Sequence, residues 1–223
     1  LNKMWGSYED KFAQVRNLYA YQFAHPGKKL NFMGNELGSF DEWNENKSIP
    51  WELKKFPKHD SVSRLFRDLN LIYQNHKAMY FEEYNQAHFQ WIMADNAEQS
   101  VLVFKREVPG ETMIFVFNMT PRFYSEYDIG VPYEGEYEEI LNTDKDVYGG
   151  WNQYNGANLF THGSGLQNQP YRITIKLASF AGIFLRYIPK IKEEEKPVIE
   201  QKAEPIKQAS AKKTTTRKRA SKK

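Results

Sequence analysis

The sequence predicts an α/β segment followed by an all-β half and a basic tail. Up to about residue 85, apolar side chains recur at helical spacing on either side of one short apolar run. Beyond that point the apolar pattern changes to a period of two. The end of the chain, from Lys190 to Lys223, contains no aromatic side chain and many lysines. We therefore predict three parts, at 1–85, 86–189 and 190–223.

Two helices are expected in the first part, one at 9–24 and one at 61–75. His25-Pro26-Gly27 ends the first helix, because Pro cannot continue it and Gly permits a reversal. Asp60 or Ser61 is expected to cap the second helix. The apolar stripes comprise Phe12, Val15, Leu18, Tyr19 and Phe23 in the first helix, and Val62, Leu65, Phe66, Leu69, Ile72 and Tyr73 in the second.

Between these helices, Lys28 to Met33 is predicted to be a short buried strand, and a polar loop follows it to about residue 59. A strand that pairs in parallel needs other strands beside it, and helices cannot satisfy its backbone groups. Each backbone group that is buried without a partner costs about 1–3 kcal/mol. Residues 1–85 supply only this one strand. We therefore expect it to belong to a larger α/β domain whose other units lie outside this chain.

The second part is predicted to be an antiparallel sandwich. Its strongest pattern is at 171–177, where Tyr171, Ile173, Ile175 and Leu177 alternate with polar residues, as in a sheet with one buried face. Gly and Pro residues separate the apolar runs and indicate turns. The predicted strands are 101–104, 113–117, 137–141, 171–177 and 181–188.

Composition excludes several classes of function. The chain has no Cys, so it holds no disulfide, thiolate metal site or cysteine nucleophile. It lacks a secretory signal and an apolar run of the roughly 20 residues that span a bilayer, so we expect a cytoplasmic protein that does not bind membranes. The five histidines show no metal-ligand spacing, and no glycine loop suits a phosphate. We expect neither a metal nor another cofactor.

Charge is divided unevenly along the chain. Residues 190–223 hold 12 Lys and Arg against 5 Glu, a net charge of +7, which leaves −4 for residues 1–189. Such a tail cannot bury enough apolar surface to offset its ordering entropy, so we predict that it is disordered. Its lysines would attract any polyanion, but no aromatic residue interleaves them, and specific nucleic-acid recognition is not expected. The alternative is a solvated tail that aids solubility.

Several motifs resemble those of 1,4-α-glucan (glycogen) branching enzymes of the α-amylase superfamily. They are "YAYQFAHPGKKLNFMGNELGSFDEWNENKSIPWEL", "HDSVSRLFRDLNLIY" and "ILNTDKDVYGG". The resemblance extends from Leu1 to about Pro189 and leaves out the basic tail. It implies an enzyme that cuts an α-1,4-glucan and transfers the segment to a 6-hydroxyl, forming an α-1,6 branch.

The resemblance also implies a (β/α)8 barrel with its active site at the C-terminal mouth. Leu30 to Met33 would be the eighth strand, the flanking helices would be barrel helices, and 86–189 would be the C-terminal all-β domain. The family's Asp nucleophile, Glu acid/base and third Asp lie on strands four, five and seven, so no catalytic residue is expected in this chain. On this basis the chain alone is expected to be inactive and to need the missing N-terminal barrel portion as its partner.

The loop after the strand is the expected substrate site. Asn35 and Glu36 would bind sugar hydroxyls of an α-glucan, and Trp43 would stack on a pyranose. The alternative is that Asn35 and Glu36 only cap local backbone, while Trp43 and Trp51 pack the loop onto the barrel. No metal site is expected there.

A non-catalytic module is the second functional hypothesis for the β half. Aromatic side chains near its turns could bind glucan or could simply fill the core. They are Tyr133, Tyr137, Tyr148, Trp151 and Tyr154.

Overall fold

Eight antiparallel strands form two sheets that pack face to face in the second half of the chain. The structure is a computed structural model that describes residues 1–156 and 158–189. Six strands pair in the order β1-β2-β3-β8-β5-β6, and β4 pairs with β7. The strands are β1 Phe89–Met93, β2 Val101–Val108, β3 Glu111–Asn118, β4 Tyr124–Val131, β5 Glu136–Asn142, β6 Leu159–Phe160, β7 Tyr171–Leu177 and β8 Gly182–Ile188.

The predicted sandwich is confirmed, and all five predicted strands form. Sequence alternation did not identify β1, β4 or β6. Strand β4 is the longest of these, and its polar residues Ser125, Glu126 and Asp128 obscure the buried positions Ile129 and Val131. Strand β6 has only two residues, too few for any periodicity to be visible.

A first core fills the space between the two sheets. Its side chains alternate along each strand with those that point to the opposite face, as the pleat requires. In β3, for example, Ile114 and Val116 belong to this core, whereas Phe115 and Phe117 do not. The buried members are Met93, Val101, Val103, Ile114, Val116, Tyr124, Tyr127, Ile129, Val131, Tyr137, Ile173, Ile175, Leu177, Ile183 and Leu185.

A second core lies between the six-stranded sheet and the helices α1 Tyr8–Ala24 and α2 Pro57–Asn75. The sheet contributes a layer of phenylalanines, in which Phe104 stacks on Phe115 with ring centroids 5.2 Å apart and Phe115 meets Phe184 edge-on at 4.9 Å. Strand β3 is therefore buried on both faces. The described residues all belong to one compact unit, Leu1–Lys190.

Helix α1 differs from its prediction only in its first residue and in one side chain. It begins one residue early, after Ser7, whose hydroxyl accepts from the Asp10 amide while the Asp10 carboxylate accepts from the Ser7 amide. This capping box satisfies two of the free donors at the helix start. Leu18, predicted to be on the apolar face, is 47% exposed. The helix buries Asn17 and Arg16 instead, because it packs against polar loops of the β half.

Helix α2 starts four residues earlier than predicted. Pro57 occupies its first turn and Phe56 is the cap, so the predicted caps Asp60 and Ser61 are wrong. Pro suits this position because its fixed φ is already helical and it lacks an amide hydrogen that would need a partner. Asp60 instead pairs with Arg64 one turn later, and the Ser61 hydroxyl donates to the Pro57 carbonyl. A short helix, α3 Lys77–Tyr80, follows.

Arg16 is the main polar connection between α1 and the β half. Its Nε donates to the Thr143 carbonyl at 2.9 Å, and its guanidinium lies 4.0 Å from the Asp144 carboxylate. Both side chains are 2–3% exposed. Burial lowers the pKa of Arg16 to about 10, although the charge of Asp144 opposes this effect. Arg16 of α1 therefore connects the helix to the motif "ILNTDKDVYGG", in which Thr143 and Asp144 both lie.

Asp144 also organises the turn that follows it. Its carboxylate oxygens accept from the Trp151 and Gln153 amides at 3.1 and 3.0 Å. Gly150 fits beneath this turn because a Cβ there would lie 2.2 Å from the Asp144 carbonyl oxygen. The turn therefore requires Asp144 for its hydrogen bonds and Gly150 for the close approach of the backbone.

The predicted strand at residues 28–33 does not form in the structure. Among the described residues, no other strand pairs with this segment. Leu30, Phe32 and Met33, predicted to be buried, are 73%, 46% and 37% exposed. The physical reason is that a strand requires a neighbour to bond its backbone, and the described chain offers none there. The assignment as the eighth strand of a barrel remains a prediction.

Lys29 attaches this segment to the rest of the molecule. Its ammonium donates to the His25 carbonyl at 2.5 Å and lies 5.6 Å from the centroid of the Tyr73 ring. Burial lowers the pKa of Lys29 to about 8, the charge of Arg106 acts in the same direction, and Glu83 opposes it. Glu83 is itself buried and accepts a hydrogen bond from the Tyr73 hydroxyl.

The predicted disordered tail at 190–223 lies outside the described residues. In the part of the chain that is described, no helix is both long enough and apolar enough to cross a membrane.

Replacing Arg16 by Met should destabilise the chain by about 3 kcal/mol, because Asp144 is then left buried without its partner charge. Arg64→Met is the matched control, since Arg64 is also a helix arginine paired with an Asp, but its side chain is half exposed and the pair should contribute less than about 0.5 kcal/mol. Urea unfolding of both variants measures the difference. Equal losses of free energy would contradict the anchoring role of Arg16.

Lys29 should make stability depend on pH between about 8 and 10.5. In this window the unfolded lysine keeps its proton, whereas the folded one has lost it, so the unfolded chain binds more protons and stability rises with pH. We expect the free energy of unfolding of the natural chain to rise relative to Lys29→Met from pH 8 to 10. The exposed Lys47→Met variant serves as control. A difference that stays flat or falls would refute the burial of this charge.

Candidate functional site

A tight turn presents Asn35 and Glu36 at the surface. Residues Asn35–Leu37 form one turn of 3-10 helix between Gly34 and Gly38, which have φ values of 82° and 59°. These left-handed conformations favour glycine. Leu37 is fully buried and fixes the turn to the core. Asn35 is exposed and Glu36 is partly exposed. The turn therefore buries Leu37 and leaves the polar side chains of Asn35 and Glu36 accessible.

Helices α1 and α2 hold the backbone of this turn. The Tyr19 hydroxyl donates to the Asn35 carbonyl at 3.0 Å, and His59 Nδ1 donates to the Leu37 carbonyl at 2.7 Å. His59 is 5% exposed, so it is a structural residue of the turn. Burial, together with the negative charge of Glu36, raises the pKa of Tyr19 to about 12, so its hydroxyl stays a donor at neutral pH.

The Glu36 carboxylate accepts a hydrogen bond from the Asn31 side chain at 2.6 Å. This contact joins the turn to the segment at 28–33. Glu36 and Asn31 also line a groove of about 320 Å³ together with Phe66, Arg67 and Asn70 from α2. A carboxylate, two amides and a guanidinium around one groove can accept and donate several hydrogen bonds to a hydroxylated ligand.

Trp43 contacts Phe32 of the segment at 28–33. The two rings meet edge-on with centroids 5.5 Å apart, and Trp43 is 59% exposed. The segment at 28–33 thus contacts two parts of the predicted site, through Asn31 to Glu36 and through Phe32 to Trp43. Trp51, the other tryptophan of the loop, is 57% exposed. Neither tryptophan is buried against the described chain.

Sequence reasoning missed Asn31 and Tyr19 as parts of this site. Asn31 has a visible signal, because it is the one polar residue inside the apolar run from Leu30 to Met33. Tyr19 has none, since its ring occupies a position on the apolar stripe of α1 and only its hydroxyl reaches the turn.

The aromatic residues of the β half divide into two groups. Tyr137 and Tyr148 are buried, and the Tyr148 hydroxyl donates to Asp68 of α2 at 2.9 Å. These two side chains fill the core rather than offering a face to a sugar. Tyr133, Trp151 and Tyr154 are 39%, 69% and 38% exposed.

Each of the five histidines lies within hydrogen-bond distance of another protein group. His76 Nδ1 lies 2.6 Å from Glu111, and His88 Nε2 lies 3.1 Å from Glu82. Within residues 1–156 and 158–189, no three His, Asp or Glu side chains converge in a way that could hold a metal ion.

Residues 91–188 match the family described as alpha amylase, C-terminal all-beta domain. The fold agrees with solved structures at low sequence identity. One is AmyP in complex with maltose, which is 14% identical over 81% of this chain and 36% of that one, with a TM-score of 0.55. At this identity the likeness concerns the fold alone.

Curated relatives are more similar in sequence. The 1,4-alpha-glucan branching enzyme GlgB 1 of Clostridium perfringens (strain SM101 / Type A) is 45% identical over 91% of this chain and 31% of its own length. The corresponding GlgB of Bacillus subtilis (strain 168) is 40% identical over 85% of this chain and 31% of its own length. The predicted resemblance to 1,4-α-glucan branching enzymes is therefore confirmed, and the chain spans about a third of the length of these relatives.

Proposed function

We propose that this chain acts as the C-terminal part of a 1,4-α-glucan branching enzyme, which cuts an α-1,4-glucan and transfers the freed segment to a 6-hydroxyl. The polymer would be glycogen. The catalytic carboxylates would come from an N-terminal barrel portion, and this chain would contribute the last barrel unit and the all-β domain. The domain boundary near residue 85 and a cytoplasmic location are predictions of the same proposal.

The unpaired segment at 28–33 is the observation that carries this proposal. Its backbone has no neighbouring strand among the described residues, and its apolar side chains face solvent. Both properties are expected of a barrel strand when the adjacent strands are absent. A loop that simply crossed the surface would have no reason to expose Leu30, Phe32 and Met33 together.

The distribution of exposed apolar residues supports the same conclusion. Most of the large apolar side chains that are exposed in the described structure lie within residues 1–85 rather than in the longer β half. They include Leu18, on the outer face of α1. Such concentrations of exposed apolar surface mark sites where another protein surface binds. In this proposal the surface belongs to the missing barrel units.

The chemistry of retaining transfer determines which groups the N-terminal barrel portion and this chain would each have to supply. The reaction needs a carboxylate nucleophile and a second carboxyl as acid/base, about 5–5.5 Å apart on either side of the scissile bond. In this proposal neither group comes from this chain. The turn at Asn35-Glu36 would bind hydroxyls of the substrate at the barrel mouth, with Asn31 orienting the Glu36 carboxylate. Trp43, held by Phe32, would offer a flat face to a sugar ring.

The purified chain should form no α-1,6 linkages from amylose, because it lacks the catalytic carboxylates. Activity should appear when it is co-expressed with the part of the Clostridium perfringens relative that precedes the matched region. Chain-length analysis after debranching measures the new linkages. Branching by the purified chain alone would overturn the proposal, and so would a stable complex of the two parts without activity.

Glu36→Gln should lower kcat/KM of the complemented enzyme about 10- to 100-fold, since a charged hydrogen bond to substrate contributes about 1.5–3 kcal/mol. Asn35→Ala and Trp43→Ala should lower it by less. Glu126→Gln is the matched control, because Glu126 is exposed on β4 and far along the chain from the turn. Activity of Glu36→Gln within about twofold of the natural complex would exclude a role in substrate binding.

A further inference from the structure

The β half contains a groove of about 490 Å³ that the proposed function does not use. It lies beside the β2–β3 hairpin and is lined by Tyr133, Tyr187, Glu107, Thr112 and Pro109, among others. Its volume falls within the range of small-ligand sites, about 300–1,000 Å³. Two aromatic rings and a carboxylate therefore share one concave surface.

The aromatic side of the groove is held rigidly. The rings of Tyr133 and Tyr187 have centroids 5.1 Å apart at an interplanar angle of 32°. The ring of the buried Tyr137 also packs on Tyr187, with the two ring centroids 5.3 Å apart. The Tyr137 hydroxyl donates to the Tyr133 carbonyl at 2.9 Å and accepts from the Tyr133 amide at 3.2 Å. The Tyr187 hydroxyl donates to the Glu134 carbonyl at 3.2 Å. Little side-chain entropy remains to be lost on binding.

The polar side of the groove is equally fixed. Glu107 accepts from the Tyr133 hydroxyl, from Lys105 Nζ at 2.6 Å and from the Thr112 hydroxyl at 3.4 Å. Burial alone would raise the pKa of Glu107, but the hydrogen bonds from Lys105 and Tyr133 outweigh it and keep that pKa below the ordinary value. The same bond raises the pKa of Tyr133 to about 12. At neutral pH the groove thus holds an ionised acceptor beside a protonated phenol.

This combination suits a neutral, hydroxyl-rich ring compound. Apolar C–H faces of a pyranose can lie on tyrosine rings, and its hydroxyls can donate to a carboxylate oxygen. A phosphate-bearing ligand is disfavoured, because Glu107 and Glu111 both line the groove and both are acidic. The lysine at position 105 is already paired with Glu107. Charge and shape therefore favour a sugar over a nucleotide.

We propose that the Tyr133–Tyr187–Glu107 groove binds a segment of α-1,4-glucan. The choice of this sugar rests on the proposed function, whereas the preference for a neutral saccharide rests on the groove itself. The groove would allow the β half to hold one part of a long glucan chain while another part enters the barrel mouth.

Native electrophoresis of the full chain in gels containing glycogen tests this proposal, with titration of maltohexaose by calorimetry as the quantitative measurement. We expect the natural chain to be retarded and to bind maltohexaose. Tyr133→Ala and Glu107→Gln should each weaken binding about tenfold. Trp151→Ala is the matched control, because Trp151 is an exposed aromatic of the same half that does not line the groove.

Glu107→Gln preserves the shape of the side chain, so it tests the groove even if Tyr133→Ala does not fold. Absence of retardation of the natural chain would overturn the proposal. Loss of binding in Trp151→Ala with retention in Tyr133→Ala and Glu107→Gln would do the same. Maltohexaose binding by the chain alone needs no catalytic partner, so a failure of complementation and a failure of the groove are observed separately.

Discussion

The six-stranded sheet has to be covered on both faces, and the rest of the structure follows from this requirement. One face meets the β4–β7 pair, and the other presents Phe104, Phe115, Phe117 and Phe184 to the helices. Exposing these four phenylalanine rings to water would cost a large amount of free energy. Helices α1 and α2 are therefore fixed on the sheet, and the turn at Asn35–Leu37 is fixed on the helices. The position of the candidate site depends on this chain of contacts.

Polar contacts then determine how the helices lie on that sheet. Apolar surfaces pack in many orientations, whereas the Arg16–Thr143 hydrogen bond and the Asn17–Asn118 hydrogen bond, both at 2.9 Å, each have one geometry. Taking Arg16 and Asp144 out of water has a cost in free energy, and that cost would be larger in an orientation that left either charge without its partner. Such pairs therefore select one arrangement of helix and sheet among those that the phenylalanines alone would allow.

Sequence patterns predicted those elements whose burial is decided locally. Apolar and polar residues alternate in strand β7 because one of its faces is buried and the other is not. Helix α1 ends before Pro26 because the proline ring cannot continue a helix. The patterns were less informative where burial depends on distant residues. Spacing alone places Leu18 on the apolar face of α1, but whether that face is covered depends on what packs against it. The same applies to residues 28–33, whose apolar pattern is that of a strand although the described chain provides no neighbour.

The candidate site was only partly visible for a similar reason. Asn35, Glu36 and Trp43 stand out as a polar and aromatic cluster in the sequence. The contacts that organise them do not, since Asn31, Phe32 and Tyr19 look like members of a strand and a helix. Sequence patterns group the aromatics of the β half together, and only the structure separates the buried Tyr137 from the groove-lining Tyr133.

The phenylalanine layer has a consequence for protein engineering. A gene fragment cut at the border between the helices and the first strand would give an all-β product with its aromatic side uncovered, and such a product should self-associate. Exchanging this domain between related proteins therefore requires crossover points upstream of α1, so that helices α1 and α2 are transferred together with the sheet they cover.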